Sequence, residues 1–131
     1  MINRRVMVAV LAFAAGLAVS VPAFAFESKP FDARTFAATQ AAGKPILVEV
    51  TAPWCPTCKA QKPILSELTQ KAKFKDLVVF EIDFDSQKDL LRKFNVRMQS
   101  TLISYKGARE VGRSTGDTNA SSIEAQLDKS I

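Results

Sequence analysis

The sequence predicts an α/β fold in one domain, and three observations carry that prediction. Ile46–Thr51 is β-branched and almost continuously apolar except for Glu49, the pattern of a central strand buried on both faces, and Leu77–Phe84 reads as a second such strand. Segments with apolar residues at helical spacing stand before, between and after these runs, so the element order is α-β-α-β-α-β-β-α. The last two strands are joined by Lys106-Gly107 and read as an antiparallel hairpin. A length of 131 residues allows one domain, and 47% hydrophobic with 24% charged residues is an ordinary globular composition.

The chain opens on a targeting segment, Met1–Ala25, which leaves residues 26–131 as the domain. Arg4 and Arg5 precede an apolar stretch, Val6–Val21, interrupted only by Gly16 and Ser20, and Ala23-Phe24-Ala25 fits the small-x-small cleavage pattern. Cleavage is expected after Ala25 by the general secretory route, which puts the mature protein in the periplasm. An uncleaved signal that anchors the protein in the membrane is the alternative, because the apolar run approaches the roughly 20 residues that span a bilayer. No cysteine stands near the cleavage point, so a lipoprotein anchor is excluded. Cleavage removes two of the 18 basic residues, and the modest, dispersed positive charge left does not argue for nucleic acid.

Phe26–Pro30 is a lead-in that forms an edge strand or stays extended. A helix follows over Phe31–Ala42, with Asp32 as N-cap, apolar positions at Phe36, Ala37 and Ala41, and Gly43 as its stop. After the Ile46–Thr51 strand comes a helix from Pro56 to about Lys73. Ile64, Leu65 and Leu68 lie on its buried side, while Lys59, Gln61, Lys62, Lys71 and Lys73 face water. Pro63 inside it removes one ladder bond and kinks the helix without ending it. Beyond the Leu77–Phe84 strand, a short helix runs from about Ser86 to Phe94 with Leu90, Leu91 and Phe94 inward. Thr101–Tyr105 and Arg109–Ser114 form the hairpin. Asn119 or Ser121 caps a final helix carrying Ile123, Leu127 and Ile131.

The chemistry is expected in Ala52-Pro53-Trp54-Cys55-Pro56-Thr57-Cys58-Lys59, which holds the only two cysteines, spaced to close a small disulfide ring. Thiolates are the attacking species in disulfide exchange, and a helix start lowers a thiol pKa from about 8.5 through its free N–H groups and positive dipole end. Cys55 precedes Pro56, and proline favours the first helical position, so Cys55 is the N-cap thiolate candidate and should be the exposed sulfur. Cys58 lies one turn below and further inside, placed to attack a mixed disulfide. A closed zinc site needs four ligands, which two cysteines and no histidine supply only with a second chain or carboxylates. The absence of histidine also excludes Ser-His-Asp, Cys-His and HExxH chemistry.

The order of elements and the residues along it resemble the thioredoxin family over almost all of the mature chain. Ile46-Leu47-Val48-Glu49-Val50 is similar to the family's central strand, and Trp54-Cys55-Pro56-Thr57-Cys58-Lys59 to its redox loop. Pro63 falls at the helix kink, and Val96-Arg97-Met98-Gln99-Ser100-Thr101-Leu102 at a V/I-R-x-x-P-T-L segment; Lys106-Gly107 and Gly116 match later turns. The resemblance implies a thioredoxin-like fold, a central mixed β-sheet flanked by α-helices with the CxxC at the N-terminus of a long kinked helix. Three departures stand out. Glu49 replaces a buried aspartate, Glu81 stands where the family carries a partner lysine, and Ser100 replaces the cis-proline facing the disulfide. Two acids buried together raise the pKa of one of them. The Gln99-Ser100 bond is expected to be trans, since a cis bond before a non-proline residue costs roughly 2.5 to 4 kcal/mol.

The functional expectation is an exported thiol-disulfide oxidoreductase with no dissociable cofactor. Cys55 attacks, Cys58 resolves, and Glu49 accepts the Cys58 proton. Trp54, Pro56, Thr57, Ser100 and Thr101 contact substrate, while Lys59 and Arg97 are solvated charges. Pro56-Thr57 is also similar to the dipeptide of thioredoxin-like proteins that reduce apocytochrome c thiols, which favours a reductant. The expected partners are protein thiol or disulfide substrates and a membrane electron donor, with the protein itself a monomer. The alternative is a binding module whose CxxC is a structural disulfide or bridges a metal or iron-sulfur cluster between two chains.

Overall fold

The computed structural model describes residues 27–131, together with Gly16 and Ala18. The expected cleavage point, Phe26 and the rest of the targeting segment lie outside the described residues. Ten elements follow: β1 (Ser28–Pro30), α1 (Ala33–Ala41), β2 (Pro45–Thr51), α2 (Pro56–Thr69), a 3-10 turn (Ala72–Phe74), β3 (Val78–Asp83), α3 (Lys88–Lys93), β4 (Thr101–Lys106), β5 (Arg109–Thr115) and α4 (Ala120–Asp128). The lead-in is thus an edge strand.

The five strands form one mixed sheet in the order β1-β3-β2-β4-β5. β2 is central, parallel to β3 and antiparallel to β4. Its residues alternate between faces, as strand geometry requires. Ile46, Val48 and Val50 join Phe36 of α1 and Leu91 of α3 on one face, whereas Leu47 joins Leu65 and Leu68 of α2 and Ile123 and Leu127 of α4 on the other. On the first face, Phe31, Phe36, Phe80 and Phe94 meet largely edge to face with ring centroids 5.2–5.9 Å apart, the arrangement aromatic quadrupoles favour. Glu49 follows the parity of Leu47 and so lies on the α2 side of the sheet.

Local signals act where the sequence places them. The Asp32 carboxylate accepts from Thr35 N at 2.8 Å to cap α1, and Asn119 Oδ1 accepts from Ser122 N at 2.9 Å to cap α4. Away from the cysteine loop, boundaries and faces differ from the expectation at three places. α2 stops at Thr69, not Lys73, because Lys71 turns extended and starts the 3-10 turn that buries Phe74 beneath the sheet. In α1 the inner residues are Phe36 and Thr39, with Ala37 and Ala41 exposed. Ile131 is exposed beyond the end of α4, and Ser130 is the buried residue there. No helix among the described residues is long and apolar enough to cross a membrane.

Candidate redox site

β2 delivers the chain directly into the Cys55 loop, and α2 begins one residue after Cys55. Cys55 holds an extended conformation, φ −85° and ψ 109°, with Pro56 in the first helical turn. The Cys55 sulfur accepts the Cys58 backbone N–H at 3.1 Å, so it occupies the N-cap position in which a thiolate is stabilised. The two cysteines form a disulfide with Cα atoms 5.3 Å apart.

Burial corrects one expectation. Cys55 is not the exposed sulfur: it is 0% exposed and Cys58 3%, because both sit in a small apolar cluster with Ala52, against the partly buried Phe84. The ring of Trp54 stands edge-on to Phe84 with centroids 6.3 Å apart, and its indole Nε1 donates to Asp85 Oδ2 at 2.8 Å. Trp54 itself is 55% exposed, so the indole is latched at its polar edge and open on its face. Pro56 is exposed and Thr57 half-buried beside it, and Lys59 and Arg97 are exposed as expected.

Glu49 is 5% exposed, and its Oε1 has no hydrogen-bond partner. Its Cα partner across the parallel β2/β3 ladder is Glu81. Burial, and then the Glu81 carboxylate, raise the Glu49 carboxyl to about 7, against opposing contributions from the Ser28 hydroxyl and Lys62. Ser28 Oγ in β1 donates to Glu81 Oε2 at 3.1 Å, which ties the second acid to the sheet edge. Beside the inner sulfur lies a cavity of about 290 Å³, lined among others by Cys58, Lys59, Lys62 and Glu81. It gives water a route to the inner sulfur and to Glu81.

The described residues contain no cis peptide bond, so Gln99-Ser100 is trans as expected, and Ser100 takes φ +60°. Its backbone, not its hydroxyl, faces the site. Ser100 N donates to Val50 O at 2.7 Å, the same carbonyl that lies 3.9 Å from the Cys58 sulfur, whereas the hydroxyl turns back onto Gln99 O. Thr101 is 2% exposed, and its hydroxyl donates to Met98 O at 2.8 Å. It therefore stands behind the turn and presents no side chain to a substrate, contrary to the contact role expected of it.

Sequence reasoning misplaced Gln61, which does not face water but is 4% exposed on the inner side of α2. Its Nε2 donates to Ser100 O at 3.2 Å and to Asp117 O at 2.8 Å. The helical spacing held the signal, since Cys58, Gln61, Leu65 and Leu68 follow one buried stripe. Met98, 52% exposed in the same turn, and Asp85 carried no comparable mark.

Known proteins place this geometry. A family model described as Thioredoxin matches residues 27–129. Thioredoxin C-2 of Corynebacterium nephridii is 33% identical over 87 residues, 66% of this chain and 80% of that protein. A bifunctional thioredoxin reductase/thioredoxin of Mycobacterium leprae is 34% identical over 85 residues, 65% of this chain but only 18% of that protein's length. Among solved structures, Trxlp from Edwardsiella tarda EIB202 superimposes with a TM-score of 0.74 at 42% identity, covering 77% of this chain and 98% of its own.

Proposed function

Because the chain belongs to the thioredoxin family, and is a thiol-disulfide oxidoreductase acting on protein disulfides, we propose that it is exported to the periplasm and works there as a reductant. In the reduced protein the Cys55 thiolate attacks one sulfur of a substrate disulfide. The other substrate sulfur leaves as a thiolate and takes a proton from water, and a Cys55-substrate mixed disulfide remains. Cys58 then loses its proton to Glu49 and attacks the Cys55 sulfur. The second substrate thiolate is released, and the Cys55–Cys58 disulfide closes. Two electrons have passed to the substrate, and a membrane donor of thiol equivalents must return them before the next cycle.

The observation that carries this reading is the Cys55 sulfur at the N-cap of α2, with a desolvated carboxyl on the same side of the sheet. Trp54 and Pro56 supply exposed surface beside it, and the Cys pair is the only redox group the cycle requires. The protein works as a monomer in this scheme, since every group named comes from one chain. With both sulfurs joined to each other, the metal-bridging alternative is not favoured.

Trapping tests the proposal. Cys58→Ser expressed with residues 1–25 in a Gram-negative host should accumulate mixed disulfides through Cys55 with exported proteins, and the captured form should begin at Phe26. Adducts confined to cytoplasmic proteins refute the periplasmic part, and an unprocessed N-terminus in every adduct with exported proteins refutes cleavage in favour of a membrane anchor. If the trapped partners gain disulfides when the unmodified protein is restored, the direction is oxidative and the reductant reading fails.

A further inference from the structure

Gln61 is a polar residue on an apolar stripe. Leu65 and Leu68 fill the positions beyond it on α2, and a leucine would serve packing equally well there. The amide instead sends both Nε2 contacts out of the helix, to Ser100 O at the head of β4 and to Asp117 O in the loop before α4. Ser100 O receives a second donor, Gly116 N at 3.0 Å, while Ser100 N is held by Val50 O at 2.7 Å. All this surrounds a residue at φ +60°, a region that costs a side-chain-bearing residue free energy and persists only where its neighbours over-determine it. The turn so held exposes Met98, and the Cys55 loop exposes Trp54.

We propose that Gln61 is a positioning residue for substrate selection: by tying the Ser100 carbonyl to the redox helix, it fixes the turn that forms the wall beside the disulfide, so that a polypeptide can lie along the turn while its disulfide reaches Cys55. This rests on the disulfide-exchange reading above. A small disulfide needs only the sulfur and makes no use of the wall. Gln61 therefore discriminates between polypeptide and small-molecule disulfides without touching either. Its reach through the Ser100 carbonyl also explains why an amide, with two donor hydrogens on one nitrogen, stands where two carbonyls converge.

The test compares wild-type protein with Gln61→Leu on two substrates, insulin under turnover with dithiothreitol as the recycling reductant and dithiobis-nitrobenzoate in a single turnover of the pre-reduced protein, alongside amide hydrogen exchange. Loss of the two contacts should raise KM for insulin about five- to tenfold, the effect of losing roughly one ordinary hydrogen bond in the bound state. The insulin kcat and the dithiobis-nitrobenzoate rate should each stay within about twofold. The Ser100 and Gly116 amides should exchange about tenfold faster, and those of Val48 and Phe80 in the sheet should not. Unchanged exchange at Ser100 and Gly116 overturns the clamp. Faster exchange with unaltered insulin KM overturns its role in selection, as does an equal loss on both substrates. Should Gln61→Leu fail to fold, Gln61→Met, unbranched and of similar length, carries the same comparison. Wild-type protein that reduces neither disulfide refutes the exchange reading itself, an outcome separate from any behaviour of the variant.

Discussion

Glu49→Gln separates a proton acceptor from a passive strand carboxylate, because the variant keeps the shape of the side chain and loses only its titration. In the folded protein the carboxyl stands at about 7 against an ordinary 4.5. That difference amounts to ~3 kcal/mol between the two protonation states. Its sign is set by proton binding: the native state holds the proton more tightly than the unfolded chain, so stability must fall as pH rises across this window. The favourable contribution is complete below about pH 4.5 and gone above about pH 7. Denaturant unfolding of the oxidised protein across that range should show the wild type losing up to ~3 kcal/mol relative to Glu49→Gln, which stays neutral throughout. The kinetic counterpart is the resolving step. Without an acceptor for the Cys58 proton, release of a mixed disulfide near neutral pH should slow by about a hundredfold, at the lower end of general-base effects, while attack by Cys55 changes little. Parallel stability curves would refute the desolvation argument. An unaltered resolving rate would refute the relay even if the stability result held.

Three further outcomes follow from the site. In the reduced protein, alkylation should select Cys55 at lower pH than Cys58, since only the Cys55 sulfur accepts a backbone N–H at the helix start; faster reaction of Cys58 reverses the assigned roles. Trp54→Ala should raise KM for insulin by about five- to thirtyfold, the loss of an exposed aromatic contact surface worth ~1–2 kcal/mol, and an unchanged KM assigns the indole to packing on Phe84 alone. Ser100→Pro should destabilise the protein by ~2–3 kcal/mol, because proline supplies no N–H for Val50 O and cannot adopt φ +60°; thermal unfolding measures this, and a neutral result would mean that the turn rebuilds around a different conformation.

The centre of the sheet was legible in the sequence because β2 and β4 are buried along most of their length, and a short, largely apolar, β-branched run has few other homes in a chain of this size. The helix caps were legible for a similar reason, being local: Asp32 and Asn119 bond to amides three residues away. Long-range facts were not. The end of α2 depends on where Phe74 finds the core, and the lysines around it extend a helical pattern past the true stop. Cys55 looks exposed from its place at a helix start, but its cover comes from Phe84, at the far end of another strand. The polarity of Gln61 points to water, although its spacing from Cys58 and Leu65 puts it on the buried stripe.

The departures from the family pattern are physically connected. Two acids at facing positions of β2 and β3 leave Glu49 without a cation directly across from it, so desolvation acts almost unopposed and the carboxyl is poised near neutrality. The trans bond before Ser100 removes a ring from the wall of the site and replaces it with a backbone N–H on Val50 O. Val50 is the last residue but one of β2 and directly follows Glu49, and its carbonyl lies 3.9 Å from the Cys58 sulfur. The wall and the proton acceptor therefore meet at one peptide segment of the central strand. A change in the Val50 peptide itself should reach the resolving cysteine directly, whereas a change at Glu81 should act through the charge on Glu49. These two routes are separable by pH: the first shifts rates equally at all pH values, and the second moves the pH at which resolution accelerates.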